Sequence, residues 1–169
     1  YAEKMGITAP LSQDLSIALG SSGIPPFELI VAYSVFANLG ERITPLFIER
    51  IVDREGRVLE ENKASTVRVM DKATAYIMTS LLQGVVEQGT GQRVQALNRP
   101  VAGKTGTTDN LYDAWFVGYT PDYVTAVWVG FDKARSLGAG ETGANAASPI
   151  WLGFMQDILR DKPVQSFTV

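Results

Sequence analysis

The 169-residue chain contains no cysteine and no histidine. Without histidine there is no Ser-His-Asp triad, no Cys-His pair and no histidine-ligated zinc. Without cysteine, thiol chemistry and disulfides are excluded, and oxidising and reducing compartments suit the chain equally. Charge of one sign is also scarce: 15 basic and 18 acidic residues are scattered to a net −3. No basic stripe is available to neutralise phosphates, which argues against nucleic acid as a partner. Long apolar runs are missing too. Leu29 to Ala37 falls far short of the roughly 20 residues a membrane span needs and lacks the flanks of a signal peptide, so no membrane contact is expected from this segment. Neither an internal repeat nor a low-complexity tract is present.

What is present is an apolar content of 46%, enough for one domain with a real core. The chain opens on Tyr1 and runs straight into what reads as the last turn of a helix closed by Gly6, which suggests a piece of a longer protein. From Pro26 to Leu39 the residues are apolar almost all round, predicting a helix buried on several sides and ended by Gly40. Leu46–Val52 and Arg57–Glu60 flank Asp53-Arg54-Glu55-Gly56 and read as a small hairpin. A second helix is expected from the N-cap Asp71 to Gly89, with Ala73, Ile77, Met78, Leu81, Leu82 and Val85 on its buried face. Extended runs at Val101–Thr107, Ala114–Tyr119 and Tyr123–Phe131 follow, the last two joined by the turn Thr120-Pro121-Asp122 and so antiparallel. The closing helix has Ser148 as expected N-cap, Pro149 at its first position, a stripe of Trp151, Phe154, Met155, Ile158 and Leu159, and Arg160 near its negative end. Helices, then antiparallel strands, then a helix make an α+β arrangement.

The stretch from Arg99 to Thr108 carries the chemistry. As a phosphate-binding loop it fails twice: the position of the first required glycine is Asn98, and Thr105 to Asp109 are poor helix formers where a helix must begin. As an extended strand it makes sense. Thr105 and Thr107 project to one face, where two hydroxyls can hold a carboxylate. Gly106 lacks a side chain, so a peptide backbone can approach and add as a strand. The amide of Thr107 is then free to serve as half of an oxyanion hole, and Lys104 supplies positive charge. The bland alternative is a lysine and small residues on an exposed edge, with glycine marking a bulge.

Lys104-Thr105-Gly106-Thr107 resembles the Lys-Thr-Gly element of penicillin-recognising serine acyltransferases. The segments ALGSSGIPPFELIVAYSVFANLG, ATAYIMTSLLQGVVEQGTG, RPVAGKTGTT, DAWFVGYTPD, VTAVWVGFD and SLGAGETGANAASPIW resemble, in order, segments of class A penicillin-binding proteins, nearest their 1A type. The likeness implies a β-lactamase-like penicillin-binding fold, a five-stranded antiparallel sheet with helices on both faces, of which residues 1–169 would be the C-terminal portion of one transpeptidase domain. It implies a D,D-transpeptidase acting through a serine acyl-enzyme, with Lys104 and Thr107 catalytic and Thr105, Gly106 and Thr107 binding substrate. The implied partners are peptidoglycan stem peptides, β-lactams and the N-terminal part of the domain, on the periplasmic side of the bacterial inner membrane. It implies no metal and no cofactor.

The chain departs from that family pattern. No serine or threonine has a lysine three positions on, and no Ser-x-Asn occurs; Ser34, Ser65, Ser80, Ser136 and Ser148 are followed at that distance by Ala, Arg, Gln, Ala and Trp. The nucleophile is therefore expected from an N-terminal segment, and the chain alone is expected to be inactive. A noncatalytic stem-peptide or partner-binding module is the competing function. A β-lactamase-related hydrolase is a third, but no deacylating base stands near the motif. Trp115, Phe116 and Tyr119 read as core, and Asp109-Asn110 as turn chemistry. Thr108 falls on the opposite face from Thr107. Glu141-Thr142-Gly143 is either a linker or a ligand-contacting loop. Glu28 and Glu87 suit a helix start or a solvated face.

Overall fold

The computed structural model describes residues 1–168. Its centre is a three-stranded antiparallel sheet of β5 (Ala102–Thr107), β6 (Asp113–Tyr119) and β7 (Val124–Gly130), in that order, so β5 is an edge strand. The family resemblance implies five strands; the described residues supply three of this sheet. Register runs unbroken from Ala102↔Tyr119 to Thr107↔Ala114, which removes the bulge reading of Gly106. The β6–β7 turn closes as Thr120 donates its amide to the Tyr123 carbonyl at 2.9 Å.

Helices cover both faces, as the family resemblance implies. On one face, Ala102 and Tyr119 form a cluster with Leu82, against which Tyr33, Phe36 and Ala37 pack. Those residues come from α1 (Pro26–Ala37) and α2 (Lys72–Gln88). On the other face lies α3 (Ser148–Leu159), whose Trp151, Met155 and Leu159 share a core with Phe116, Val94, Leu97 and Val101. The Trp151 indole stands edge-on to Phe116 at 5.1 Å and donates to the Thr125 carbonyl at 3.0 Å. α2 joins the two layers, Leu82 entering one and Val86 the other. Arg99 fastens the end of α3, donating to the carbonyls of Leu159, Lys162 and Pro163 at 2.7, 2.6 and 2.8 Å.

Between α1 and α2 the chain makes a small excursion. β1 (Glu41–Ile43) pairs with β4 (Thr66–Arg68), and β2 (Arg50–Val52) pairs with β3 (Val58–Glu61) around Asp53–Gly56. The β2–β3 hairpin is the expected one, although Leu46–Ile48 lie outside its strands.

Several helix expectations are corrected. α1 stops at Ala37, because Leu39 and Gly40 take left-handed conformations, and a Cβ at Gly40 would lie 2.9 Å from the Met70 carbonyl carbon. It is buried on more than one side, as expected: Ala32 and Val35 join one cluster with Met5 and Ile7, and Tyr33, Phe36 and Ala37 pack on the other, while Phe27 is exposed. Asp71 caps α2, accepting from the Thr74 amide at 2.8 Å, yet the buried face is Ala75, Thr79, Leu82 and Val86. Ile77 and Leu81 face outward. Thr79 lies on the buried face, its hydroxyl 2.9 Å from the buried Tyr119 hydroxyl. Ser148 does not cap α3: a π-helical turn, Gly143–Ala147, precedes it, and its hydroxyl donates back to the Ala144 carbonyl at 2.7 Å.

Candidate active site

The edge strand β5 offers chemistry in three directions. Its pairing with β6 sets the first. The Thr108 amide donates to the Asp113 carbonyl at 3.2 Å. Alternation along an antiparallel pair then aims the amides of Lys104 and Gly106 at β6 and those of Thr105 and Thr107 off the free edge. Consistent with this, the Thr105 carbonyl accepts a hydrogen bond from Lys104 Nζ at 2.7 Å instead of from a strand neighbour.

The second direction is the face of Lys104 and Gly106, opposite Val117 and Trp115. Here a groove of about 880 Å³ opens between the sheet and the segment Ile17–Ile24 with the start of α1; Lys104 to Thr108, Asp113, Trp115 and Trp128 border it. Trp115 therefore corrects the all-core expectation: Phe116 and Tyr119 are fully buried, while Trp115 faces the groove beside Trp128, ring centres 6.3 Å apart. Trp128 Nε1 donates to Asp113 Oδ1 at 2.9 Å, fixing that carboxylate at the groove's end. Gly106 is bare for a local reason as well, since a Cβ there would stand 3.1 Å from the Trp115 Cβ.

The third direction is the face shared by Thr105 and Thr107, as the strand period predicts. It is the face of α3, not of Lys104. Thr105 is only 8% exposed, and its hydroxyl lies 2.5 Å from that of Thr90. Thr107 is exposed and its Oγ1 accepts the Gly143 amide at 3.0 Å. Gly143 thus belongs to neither expected role alone, linker or ligand loop; it is packed on the strand so closely that a Cβ would fall 2.6 Å from the Gly106 carbonyl oxygen. Thr108 turns away and accepts the Tyr112 and Asp113 amides at 3.0 and 2.9 Å, which makes it part of the loop after β5. Glu28 ties the N-terminal segment to α1 through the Thr8 and Ala9 amides; the Thr8 hydroxyl, then those two amides, hold its carboxyl below the usual range.

Thr90, Gly143, Asp113 and Trp128 were not singled out from the sequence as partners of the strand. Gly89-Thr90-Gly91 advertises a helix end, but nothing local places Thr90 beside a residue 15 positions on. Among the described residues no group of acidic side chains is arranged to hold a metal, and no helix is long and apolar enough to cross a membrane.

Comparison with known proteins adds to this geometry. A family model described as the penicillin binding protein transpeptidase domain matches residues 2–155. Penicillin-binding protein 1A of Aquifex aeolicus is 47% identical over 152 residues, covering 90% of this chain and 21% of that protein. Penicillin-binding protein 1A of Pseudomonas aeruginosa is 39% identical over 218 residues, covering 98% and 26%. The chain thus spans about a fifth to a quarter of the length of these curated relatives. Among solved structures, penicillin-binding protein 1A from Haemophilus influenzae superposes with a TM-score of 0.92 at 28% identity, over 99% of this chain and 31% of that one. PonA1 from Mycobacterium tuberculosis in complex with penicillin V gives 0.83 at 28% identity, over 99% and 50%.

Proposed function

This chain belongs to the penicillin-binding protein transpeptidase family and has its fold, and from that membership we propose that it is the C-terminal, substrate-binding portion of a serine D,D-transpeptidase domain. The carrying observation is the free edge of β5, where four consecutive residues supply outward amides, the Lys104 ammonium bordering the groove and, on the opposite face, the Thr105 and Thr107 hydroxyls.

On this reading a peptidoglycan stem adds along β5 as an extra strand. The hydroxyls of Thr105 and Thr107 hold its terminal carboxylate, with Lys104 adding positive charge, and the Thr107 amide faces the developing oxyanion. A serine from a Ser-x-x-Lys segment outside these 169 residues attacks the D-Ala-D-Ala carbonyl. The C–N bond breaks, D-Ala leaves carrying the serine's proton, and an acyl-enzyme remains. An amine of a second stem then attacks the ester, forms the crosslink and returns a proton to the serine. A β-lactam acylates the same serine, which fits the penicillin V complex of PonA1. The whole protein would work at the cell envelope, on the periplasmic side of the inner membrane.

Labelled penicillin tests this. The chain alone is expected to form no denaturation-resistant adduct, and the chain joined to its serine-bearing segment is expected to form one. A covalent adduct on the 169 residues alone, or none on the joined polypeptide, would sink the reading.

A further inference from the structure

We propose that Thr90 is a positioning residue for the substrate carboxylate, acting through the hydroxyl of Thr105; this rests on the carboxylate-binding role just proposed for Thr105. The two Oγ1 atoms lie 2.5 Å apart. A hydroxyl owns one proton and two acceptor lone pairs. If Thr105 gives its proton to Thr90, it has none left for a carboxylate. If Thr90 gives its proton to Thr105, the Thr105 proton is released toward the free edge, and the two bonds in series strengthen one another. The arrangement therefore selects a direction: Thr90 to Thr105 to carboxylate.

Thr90 is held there by a built terminus, not by chance. The Gly89 and Gly91 amides both donate to the Val85 carbonyl at 3.0 Å. A Cβ at Gly89 would lie 2.9 Å from that same oxygen, so the turn is as tight as a glycine permits. Gln95 Nε2 takes up the neighbouring carbonyls of Val86 and Glu87 at 2.7 and 3.0 Å. The end of α2 is thereby pinned to the flank of β5, and the one side chain of the Gly-Thr-Gly triplet is delivered to Thr105. Thr105 is nearly buried and β-branched, so its own rotamer has little freedom to find another partner.

Thr90 itself is exposed, so its replacement opens no cavity. The test measures second-order acylation in the full-length polypeptide that carries the Ser-x-x-Lys segment, with penicillin G and with its methyl ester, which lacks the carboxylate. Wild type is expected to prefer the acid. Thr90→Val is expected to slow acylation by the acid about fivefold, the scale of one net hydrogen bond between neutral hydroxyls, and to leave the ester rate within about twofold. Thr90→Ser is expected to restore the acid rate, and Thr90→Val added to Thr105→Val is expected to change nothing further. An equal fall with acid and ester, or no fall with either, overturns the proposal; Thr90→Ala repeats the measurement if the valine variant does not fold. A wild type that does not distinguish acid from ester removes the role of Thr105 and with it that of Thr90. A wild type that is not acylated at all removes the transpeptidase reading itself.

Discussion

Gly143→Ala adds one methyl group at the point where the loop before α3 rests on β5. Gly143 needs no left-handed backbone; its requirement is space. A Cβ there would stand 2.6 Å from the Gly106 carbonyl oxygen, closer still to the Trp115 carbonyl oxygen, and 3.1 Å from the Gly106 amide nitrogen. All of these are backbone atoms in paired strands and cannot swing aside as a flexible side chain would. Relief requires the loop to lift by something like an ångström, which also stretches the 3.0 Å bond from the Gly143 amide to Thr107 Oγ1. Overpacking of this kind costs about 1–3 kcal/mol and a lost hydrogen bond about 1 kcal/mol more. The expected total of about 3 kcal/mol corresponds to a fall in melting temperature of roughly 6–12 °C for a chain of this size. Differential scanning calorimetry reads it, with Gly153→Ala as the control. Gly153 lies within α3 with nothing near its missing Cβ, so alanine there is expected to stabilise by about 0.5–1 kcal/mol. A Gly143→Ala chain that melts with the parent would show that the loop does not bear on β5 and that the packing argument is wrong.

Two further outcomes follow from polar contacts. Arg99→Ala strips three carbonyls at the end of α3 of their shared donor; a loss of about 2 kcal/mol is expected in urea unfolding, and Arg99→Lys is expected to recover less than half of it, since an ammonium cannot span the same carbonyls as a planar fork. Burial pushes the Tyr119 phenol above its ordinary range, and that of Tyr33 in the same direction. Because the folded state holds these protons more tightly than the unfolded chain, their contribution is complete below the unfolded value near pH 10 and drains away as pH rises above it, by about 1.4 kcal/mol per pH unit for each group. Tyr119→Phe is expected to make that alkaline decline shallower, leaving the part due to Tyr33, while lowering the neutral-pH baseline by about 1 kcal/mol through the stranded Thr79 hydroxyl; an unchanged alkaline slope would contradict the assignment.

The meander β5–β7 was legible because its signals are local: alternating side chains, a Thr-Pro-Asp turn, and helix-breaking residues around Gly106. Helix existence was legible for the same reason, through Asp71 and Pro149. Helix phase was not. α1 and α2 carry apolar residues on more than one side, so hydropathy cannot choose which side meets the sheet; the buried face of α2 includes Thr79, which meets Tyr119, a residue 40 positions away. The β1–β4 pair was invisible for a similar reason. Its strands are three residues each, and an Arg68–Glu41 ion pair at 2.6 Å across 27 positions leaves no periodic trace.

The site divides along the same line. The residue types of Lys104 to Thr107 follow from the needs of the strand itself and could be read one by one. The positions of its two hydroxyls could not, because each is set by a segment remote in sequence: Thr90 from the end of α2 for Thr105, and Gly143 from the loop before α3 for Thr107. These partners act on the face opposite Lys104, whose side chain borders the groove. On the carboxylate-binding role proposed above, a change in α2 or in the loop before α3 reaches the threonine hydroxyls from the side away from the lysine. The paired acid and ester measurements on Thr90 variants isolate that path, since a fault in the docking of the substrate backbone along β5 would affect both ligands alike.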